Sequence, residues 1–470
     1  MSDFLRGALA SLAFFSVTIC FSLFAPVLFA AVAVGVILVV PGSVIDTTIL
    51  TVYFLAACTA YNFFVLLVVG LGRLEHGEDV AHFFSIIIPA RNEELVIKET
   101  LDRVFALDYP VELFEVVVIN DGSTDSTESI VREAQLRHPN LKLISVSPEK
   151  GGSGKGSALN AVFADFLLTW RGLEIEPRHR WVIGVFDSDA IPSLDMLKKV
   201  SFEFRDPHVG GVQTLVRISN RKKSILTTLQ DMEFLAFARL LQFSRTVFGG
   251  SVALGGNGQF IRATALDATA LTPTEDYWNR DSLTEDLDIG MRLLTSKWEN
   301  RYVDSSVVYQ EGVENVRSLI HQRTRWAWGA LQALCHYIFG LRVWRADISL
   351  RKKVDASIYL VNLIVPFIVV FCWVLSGLAL IGTVRISNAF PWFFTLANGF
   401  SFLPLYVCGL WKQRDDYPVW QIVPLSLIGT VYTFHWIPCI SIAAAKMFIK
   451  KPVWEKTPRF NHVPGREKRV

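Results

Sequence analysis

Two carboxylates, Asp187 and Asp189, stand near the end of an apolar run rich in β-branched residues. The run, Ile183–Ala190, predicts a buried strand that delivers both acids to its carboxyl end. In an open α/β sheet, ligands bind beyond the carboxyl ends of the strands, where two acids can meet a metal ion and its phosphates. An Asp-x-Asp is also typical of a turn or a helix N-cap, here ahead of Pro192, so the neighbouring motifs decide between the two interpretations.

Further polar side chains follow other strands or begin a helix. Asn92 and Asp121 follow predicted strands, and Glu285 and Asp286 lie in the first turn of a predicted helix. Acids in a first turn suit the helix dipole, and a role at the mouth of the sheet is the alternative.

A glycine-rich turn, Gly151–Asn160, presents Lys155 at a predicted helix start. The turn is not a Walker phosphate loop, because Glu149 and Gly156 stand where that pattern needs Gly and Ser or Thr. Its charge and its backbone N–H groups can still meet a diphosphate, and a plain surface loop is the alternative.

The elements that position these residues alternate between strands and helices. This alternation predicts an α/β domain with a mostly parallel sheet and right-handed crossovers, which brings the polar strand ends to one edge. The predicted strands are Phe83–Pro89, Glu115–Asn120, Leu141–Ser147 and Val209–Leu215, and the predicted helices are Glu93–Ala106, Thr127–Arg137 and Ser224–Phe243.

The composition indicates a membrane protein. The chain has 470 residues, 51% of them apolar, with a mean hydropathy of +0.36, which is too apolar for a wholly soluble protein. Gly7–Ile45 and Thr47–Gly72 contain no charged residue, and each exceeds the roughly 20 residues that a spanning helix needs. A cleaved signal peptide fits less well, because its apolar region would be only about 7 to 15 residues long.

Three more apolar runs follow near the C-terminus, and the number of spans that they form stays open. Three spans would place the basic tail outside the cell, against the positive-inside rule, so the last run is expected to be a broken pair or a re-entrant segment. The runs are Ile358–Val384, Phe390–Trp411 and Trp420–Phe448.

Basic residues also set the expected orientation. Arg6 precedes the first span and Arg73 follows the second, whereas the linker between them has no Lys or Arg. The domain after Arg73 is therefore expected in the cytosol. The predicted division is two spans in 1–75, the catalytic domain in 76–316, amphipathic interface helices in 317–350, three or four spans in 351–450 and a basic tail in 451–470.

Charge and cysteine content exclude other classes. The net charge of +2, without a basic tract interleaved with aromatics, argues against a nucleic-acid partner. The six cysteines show no Cys-x-x-Cys spacing, so neither a zinc site nor a disulfide framework is indicated.

The segment His321–Gly329 predicts an amphipathic helix that could lie on the bilayer surface. Interfacial anchors are the alternative to a functional role for Trp326, Trp328, Tyr337 and Trp344, and we expect some of these residues to be such anchors.

Five motifs in order resemble those of the membrane-embedded family 2 glycosyltransferases, the group of cellulose, chitin and hyaluronan synthases. The resemblance covers Phe83 to Trp326, and His321–Trp326 and Trp454–Thr457 also resemble bacterial enzymes that add one glucose to diacylglycerol. The motifs are Pro89–Glu94, Asn120–Asp125, Asp187–Asp189, Thr284–Asp286 and Gln322–Trp326.

The resemblance implies a glycosyltransferase A type fold and a role for each matching residue. Asp187 and Asp189 match the pair that holds Mg²⁺ or Mn²⁺. Asp286 matches the catalytic base, and Glu285 and Trp326 are implied to contact the acceptor. The implied nucleotide-sugar site comprises Ala90, Glu94, Asp121, Lys155, Asp187, Gln322, Arg325 and Trp326.

The expected activity is the inverting transfer of a sugar from a UDP-sugar to a hydroxyl group. A divalent cation with Lys155 and Arg325 would stabilise the departing UDP, and a carboxylate would take the proton of the hydroxyl. A polysaccharide is the expected acceptor, with a membrane lipid as the alternative, in a multi-pass protein of the plasma membrane. A nucleotide-binding transporter or scaffold is the alternative class, disfavoured by the intact motifs and the few intramembrane charges.

Overall fold

We describe the fold from a computed structural model, whose described residues are 64–70, 72–146, 152, 154–161, 163, 172, 179–272, 276–364 and 402–449. Most of both N-terminal runs, the greater part of the run from 358 to 384, much of the run from 390 to 411 and the basic tail lie outside these residues. The number of spans predicted there therefore stays a prediction.

Among the described residues, those between 83 and 310 form one eight-stranded sheet with the order β3-β2-β1-β4-β7-β6-β8-β5. Its strands are β1 Phe83–Ala90, β2 Phe114–Asp121, β3 Leu141–Val146, β4 Trp181–Val185, β5 Ile191–Pro192, β6 Val209–Ile218, β7 Gln259–Arg262 and β8 Glu299–Gln310. β7 runs antiparallel to β4 and β6, and β5 antiparallel to β8, while the other neighbouring strands pair in parallel. The expected mostly parallel α/β sheet is confirmed.

Helices cover both faces of the sheet and continue into the C-terminal half. The α-helices are α1 Ile97–Phe105, α2 Thr127–Gln135, α3 Met196–Glu203, α4 Ile225–Ala236, α5 Phe243–Gly249, α6 Ala263–Ala268, α7 Glu285–Thr295, α8 Val316–Ala333, α9 Arg342–Arg345, α10 Leu350–Val361, α11 Leu403–Trp411, α12 Val419–Thr433 and α13 Trp436–Ile449. A π-helical turn, Phe237–Gln242, joins α4 to α5, and another, Leu334–Phe339, follows α8. Short 3-10 turns occur at Val111–Leu113 and Asn362–Ile364, and residues 64–70 and 155–161 are also helical.

Side chains alternate along the strands, and this alternation builds two apolar layers. On one face, Ile86 and Val116 pack with Leu101 of α1. On the other face, Ile87 and Ile183 pack with residues that include those of α7. Because both faces are covered, the strands read as continuous apolar runs, and this is why the sequence reveals them.

The helix predicted around His321 exists as α8, but it packs against protein along much of its length. Ala327 and Trp328 form a cluster with Leu283 and with two residues of α13. Trp328 and Tyr337 are buried at 6% and 1% exposure, so these two are not among the expected membrane anchors, whereas Trp344 is 39% exposed. The hydroxyl of Tyr337 instead donates to Asp288 at 2.9 Å.

The last apolar run is interrupted between α12 and α13. Backbone N–H groups of Phe434 and His435 donate to carbonyls three residues earlier, which ends α12 just before α13 begins. Within the described residues, Val419–Ile449 is the one helical run long and apolar enough to cross a membrane, with a mean hydropathy of 1.4.

Candidate active site

The two acids of the Asp-x-Asp motif lie just beyond the end of β4, at the edge where β1 and β2 also end. The backbone N–H of Asp187 donates to Asn257 Oδ1 at 3.2 Å. Oδ2 of Asp189 accepts from the N–H of Glu311 at 2.9 Å, just after the end of β8. Both acids line one cavity of about 630 Å³, so they face a space large enough for a ligand.

Lys155 begins the 155–161 helix and reaches into the same cavity. Its Nζ donates to Asp187 Oδ1 and to the Gly256 carbonyl, both at 2.6 Å. Burial alone would lower the pKa of Lys155, but the carboxylates of Asp187, Glu285 and Asp286 raise it above the ordinary value. The lysine is therefore a fixed positive charge at the centre of the site.

Glu285 and Asp286 occupy the first turn of α7, as predicted, and both line the cavity. Burial and the neighbouring Asp286 raise the pKa of Glu285 to about 7. Burial also raises the pKa of Asp286, although Lys155 opposes that shift. A carboxylate whose pKa moves toward neutrality is better matched to general-base work at neutral pH.

Gly256 lies between the cation and the proposed base. A Cβ atom at this position would stand 3.1 Å from Lys155 Nζ and 3.2 Å from Asp286 Oδ2. A side chain at this position would crowd both charged groups, so each would have to shift by a few tenths of an ångström.

Asp121 ends β2 and lines the cavity with Ala90. Its Oδ1 accepts from the N–H of Gly152 at 3.0 Å, and burial raises the pKa of its carboxyl group. Gly152 has a φ of +82°, and a Cβ there would overlap the Arg91 guanidinium, which explains the glycine.

Glu94 does not line the cavity. Its Oε2 accepts from the N–H of Ser126 at 2.9 Å, and its own N–H donates to Asp125 Oδ2 at 3.2 Å. This exposed side chain thus joins the loop after β1 to the N-terminal end of α2, while Glu93 is the neighbour that lines the cavity.

Gln322, Arg325 and Trp326 line the cavity from α8. Arg325 Nη1 donates to the Leu283 carbonyl at 3.4 Å, just before the acidic turn of α7. The structure thus brings every predicted site residue except Glu94 into one cavity.

The sequence did not reveal other residues of the lining, including Gln213, Glu233, Gln310 and Tyr359. Glu233 carried only a weak signal, since it is one of two acids, with Asp231, among the polar and apolar residues of α4. Tyr359 and Gln310 carried none, because only the fold brings their elements to this edge.

The carboxylates of Asp187 and Asp189 are of the chemical type that binds a hydrated divalent cation. Among the described residues, no cluster of three or more His, Cys, Asp or Glu side chains is suited to enclose a metal ion. Mg²⁺, however, is usually held by one or two carboxylates together with substrate phosphates, and Asp187 and Asp189 supply such a pair. The described lining also contains more carboxylates than cationic side chains, so a diphosphate would gain from an added cation.

A mostly parallel sheet with an acidic pair at its carboxyl edge is typical of a glycosyltransferase A type domain. The sequence matches the family described as Glycosyltransferase like family 2 over residues 81–329. The chain belongs to this family of glycosyltransferases, as its motifs indicated.

Curated relatives include glycolipid and polysaccharide synthases. The chain is 31% identical to the Beta-monoglucosyldiacylglycerol synthase of Synechocystis sp. over 384 residues, covering 79% of this chain and 74% of the relative. It is 27% identical to the Poly-beta-1,6-N-acetyl-D-glucosamine synthase of Staphylococcus epidermidis over 251 residues, covering 53% and 55%.

The fold is similar to that of a solved structure, the mannosyltransferase PcManGT from Pyrobaculum calidifontis in complex with GDP-Man and Mn²⁺. The TM-score is 0.50 at 20% identity, covering 84% of this chain and 98% of that one. The likeness supports the glycosyltransferase A type fold.

Proposed function

We propose that this chain transfers a sugar from a UDP-sugar to a hydroxyl acceptor with inversion, and that Asp286 is the catalytic base. The observation that carries the proposal is the meeting of Lys155, Asp187 and Asp286 around Gly256. Lys155, which suits a diphosphate, and Asp286, which can accept a proton, both lie within about 3 Å of where a Cβ atom of residue 256 would stand.

The donor would lie along the carboxyl edge of the sheet. Asp121 and Ala90 would contact the uracil end, while Lys155 and Arg325 would meet the diphosphate. Asp187 and Asp189 would hold Mg²⁺ or Mn²⁺, which supplies positive charge to the leaving diphosphate.

In the proposed reaction, the acceptor oxygen bonds to the anomeric carbon as the bond from that carbon to the UDP oxygen breaks. UDP leaves with the bonding electron pair, and Asp286 takes the proton of the acceptor hydroxyl. Attack from the face opposite UDP converts an α-linked donor into a β-linked product. Glu285, Gln322 and Trp326 would contact the acceptor or close the site around it.

We propose a membrane lipid as the acceptor. The relatives named for glucosyldiacylglycerol synthesis match 79–80% of this chain, whereas the polysaccharide synthase from S. epidermidis matches 53%. Apolar side chains, including Leu241, Leu363 and Leu405, also line the cavity. A growing polysaccharide, expected from the motifs, is the second candidate and is favoured by the polysaccharide synthase relatives.

The chain is proposed to be a multi-pass protein of the plasma membrane with its catalytic domain in the cytosol. The apolar runs and the basic residues beside them support this arrangement, as does the exposed apolar surface of α12. The proposed division places spans in 1–75 and 351–450, the catalytic domain in 76–316, helices at the membrane interface in 317–350 and a basic tail in 451–470.

The acceptor is tested with purified chain, radiolabelled UDP-sugars, Mn²⁺ or Mg²⁺ and diacylglycerol in lipid vesicles. Labelled lipid with a β-anomeric proton coupling supports the main proposal. Long labelled polymer supports the second candidate, and a product with retained α configuration contradicts inversion.

The base is tested with Asp286→Asn, which keeps the shape of the side chain but cannot accept the proton. We expect kcat to fall by about 10² to 10⁴, the usual contribution of a general base, while UDP affinity changes little. Asp288→Asn is the matched control, because Asp288 lies in the same turn but pairs with Arg292 at 2.9 Å. Retention of wild-type kcat by Asp286→Asn would remove this residue from the mechanism.

A further inference from the structure

A largely buried ion pair joins the motif helix α8 to α4, with Arg323 buried and Glu233 at the edge of the cavity. Arg323, inside the Gln322–Trp326 motif, is 0% exposed. Its Nη2 donates to Oε2 of Glu233 on α4 at 2.8 Å. Burial opposes ionisation of Glu233, but Arg323, His435 and the hydrogen bond from Trp436 together outweigh it and lower the pKa of this carboxyl group.

Arg323 also touches two motif residues that line the active-site cavity. Its Nη1 donates to Gln322 Oε1 at 3.3 Å. Its guanidinium lies over the ring of Trp326, with Cζ 4.0 Å from the ring centroid. The orientation of both lining side chains is therefore tied to one guanidinium group, whose planar shape allows donation and stacking together.

Glu233 in turn receives two hydrogen bonds from the C-terminal helices. The Tyr432 hydroxyl donates to its Oε2 at 3.1 Å, and Trp436 Nε1 donates to its Oε1 at 2.8 Å. These donors stand on either side of the break at Phe434 and His435. The break lets residues on two successive helices reach the same carboxylate.

An ion pair in such a position is a poor source of stability, because removing two charges from water offsets most of their attraction. Buried charged groups of this kind can instead fix one arrangement of the elements that they join. Here, the joined elements are α4, the motif helix and the apolar helices α12 and α13.

We propose that Glu233 and Arg323 are positioning residues, which set Gln322 and Trp326 for sugar transfer and couple the site to α12 and α13. This inference rests on the proposed function, since it assigns these residues to the same reaction. Neither residue takes the proton or binds the diphosphate in the mechanism above.

The test compares Glu233→Gln and Arg323→Lys with a matched control, Asp231→Asn. Asp231 is also on α4 and is fully buried, and its carboxylate accepts from Arg217 Nε and Nη2, both at 2.8 Å. Its pair does not touch the motif residues. Each protein is measured for turnover per folded molecule, for UDP affinity, and for amide hydrogen exchange in α8 without substrate.

We expect either variant to lower kcat about 10²-fold, as for a misplacement of reacting groups by about 1 Å, with UDP affinity unchanged. The double variant is expected to be no worse than the single variants, because the two residues act as a unit. Amide exchange in α8 is expected to rise in both variants. Asp231→Asn is expected to lower thermal stability while leaving kcat per folded molecule and exchange in α8 as in the wild type.

Trp436→Phe, which keeps an aromatic ring but loses the Nε1 donor, is expected to give a smaller loss of kcat in the same direction. Wild-type kcat in both Glu233→Gln and Arg323→Lys, or an equal loss in Asp231→Asn, overturns the positioning role. Unchanged amide hydrogen exchange in α8 of both variants also overturns the positioning role, and this measurement does not depend on an activity assay. Failure of the wild-type chain to transfer a sugar would instead overturn the proposed function.

Discussion

The acids of the site repel one another, and this repulsion shapes what each residue can do. Glu285, Asp286 and Asp187 all act on Lys155, so one ammonium group balances several carboxylates. A donor with two phosphates would add further negative charge. Asp187 and Asp189 are therefore more useful with a divalent cation between them and the phosphates than without one.

Removal of the metal should therefore abolish transfer. EDTA is expected to stop turnover, and added Mn²⁺ or Mg²⁺ should restore it in the wild type but not in Asp189→Ala. Asp195→Ala serves as the control, because Asp195 pairs with Lys199 at 2.5 Å on α3 and does not line the cavity. Full activity in EDTA would contradict the metal-binding role.

Glu285 should make the folded state less stable as the pH rises. Its pKa is about 7 in the folded chain against 4.5 for the unperturbed group, so the folded state binds the proton more tightly. Stability is then greatest below about pH 4.5 and is lost as the pH rises through about 7. Thermal melts in detergent between these pH values should show a smaller decline for Glu285→Gln.

The exposed Glu133→Gln is the comparison for this measurement, since that residue lies on the outer side of α2. An unchanged decline in Glu285→Gln would show that this carboxyl group does not carry the pH dependence.

At the scale of elements, the site depends on how closely α8 approaches the start of α7. Gly329 lies in α8, and a Cβ atom there would overlap Oγ1 and Cγ2 of Thr284. Thr284 directly precedes the acidic turn that holds Glu285 and Asp286. A side chain at position 329 must push the motif helix away from the proposed base.

Gly329→Ala should consequently lower both stability and kcat. In an unhindered helix, Ala is more favourable than Gly by about 1 kcal/mol, so a loss would arise from the contact with Thr284. Gly70→Ala is the matched control, because Gly70 is helical and a Cβ there meets nothing within 4 Å. Thermal melts and turnover of both variants check this, and a stabilised, active Gly329→Ala would contradict the close approach.

The sequence predicts individual strands and helix starts better than it predicts contacts between residues that are far apart in the chain. The strand before Asp187 was predictable from its short apolar run. The acidic turn at Asp286 was predictable from the acids that begin its helix. The pair of Glu233 and Arg323 was not, because its members are 90 residues apart and only the packing of α4 against α8 joins them. Glu94 was assigned by resemblance, yet its neighbour Glu93 lines the cavity, and the direction of each side chain in this turn cannot be read from a sequence period.

At the scale of the whole molecule, α12 and α13 present two different surfaces. Buried residues such as Ile422 and Ile440 pack on the catalytic half, whereas Val423, Leu427 and Val431 are 58%, 43% and 68% exposed. Only 28% of the most apolar stretch of this run is buried inside the protein. An exposed apolar surface of this kind is typical of a helix that faces lipid.

Charge placed on that surface should weaken membrane integration. A Lys at the centre of a spanning helix costs about 2.5 to 3.5 kcal/mol, so Val431→Lys is expected to lower the fraction of chain that resists alkaline carbonate extraction. Leu136→Lys is the control, because Leu136 is 87% exposed on the catalytic domain and should be indifferent to lipid. The wild type and Leu136→Lys should stay in the membrane pellet together. Equal extraction of Val431→Lys and Leu136→Lys would show that the exposed face of α12 does not contact the bilayer.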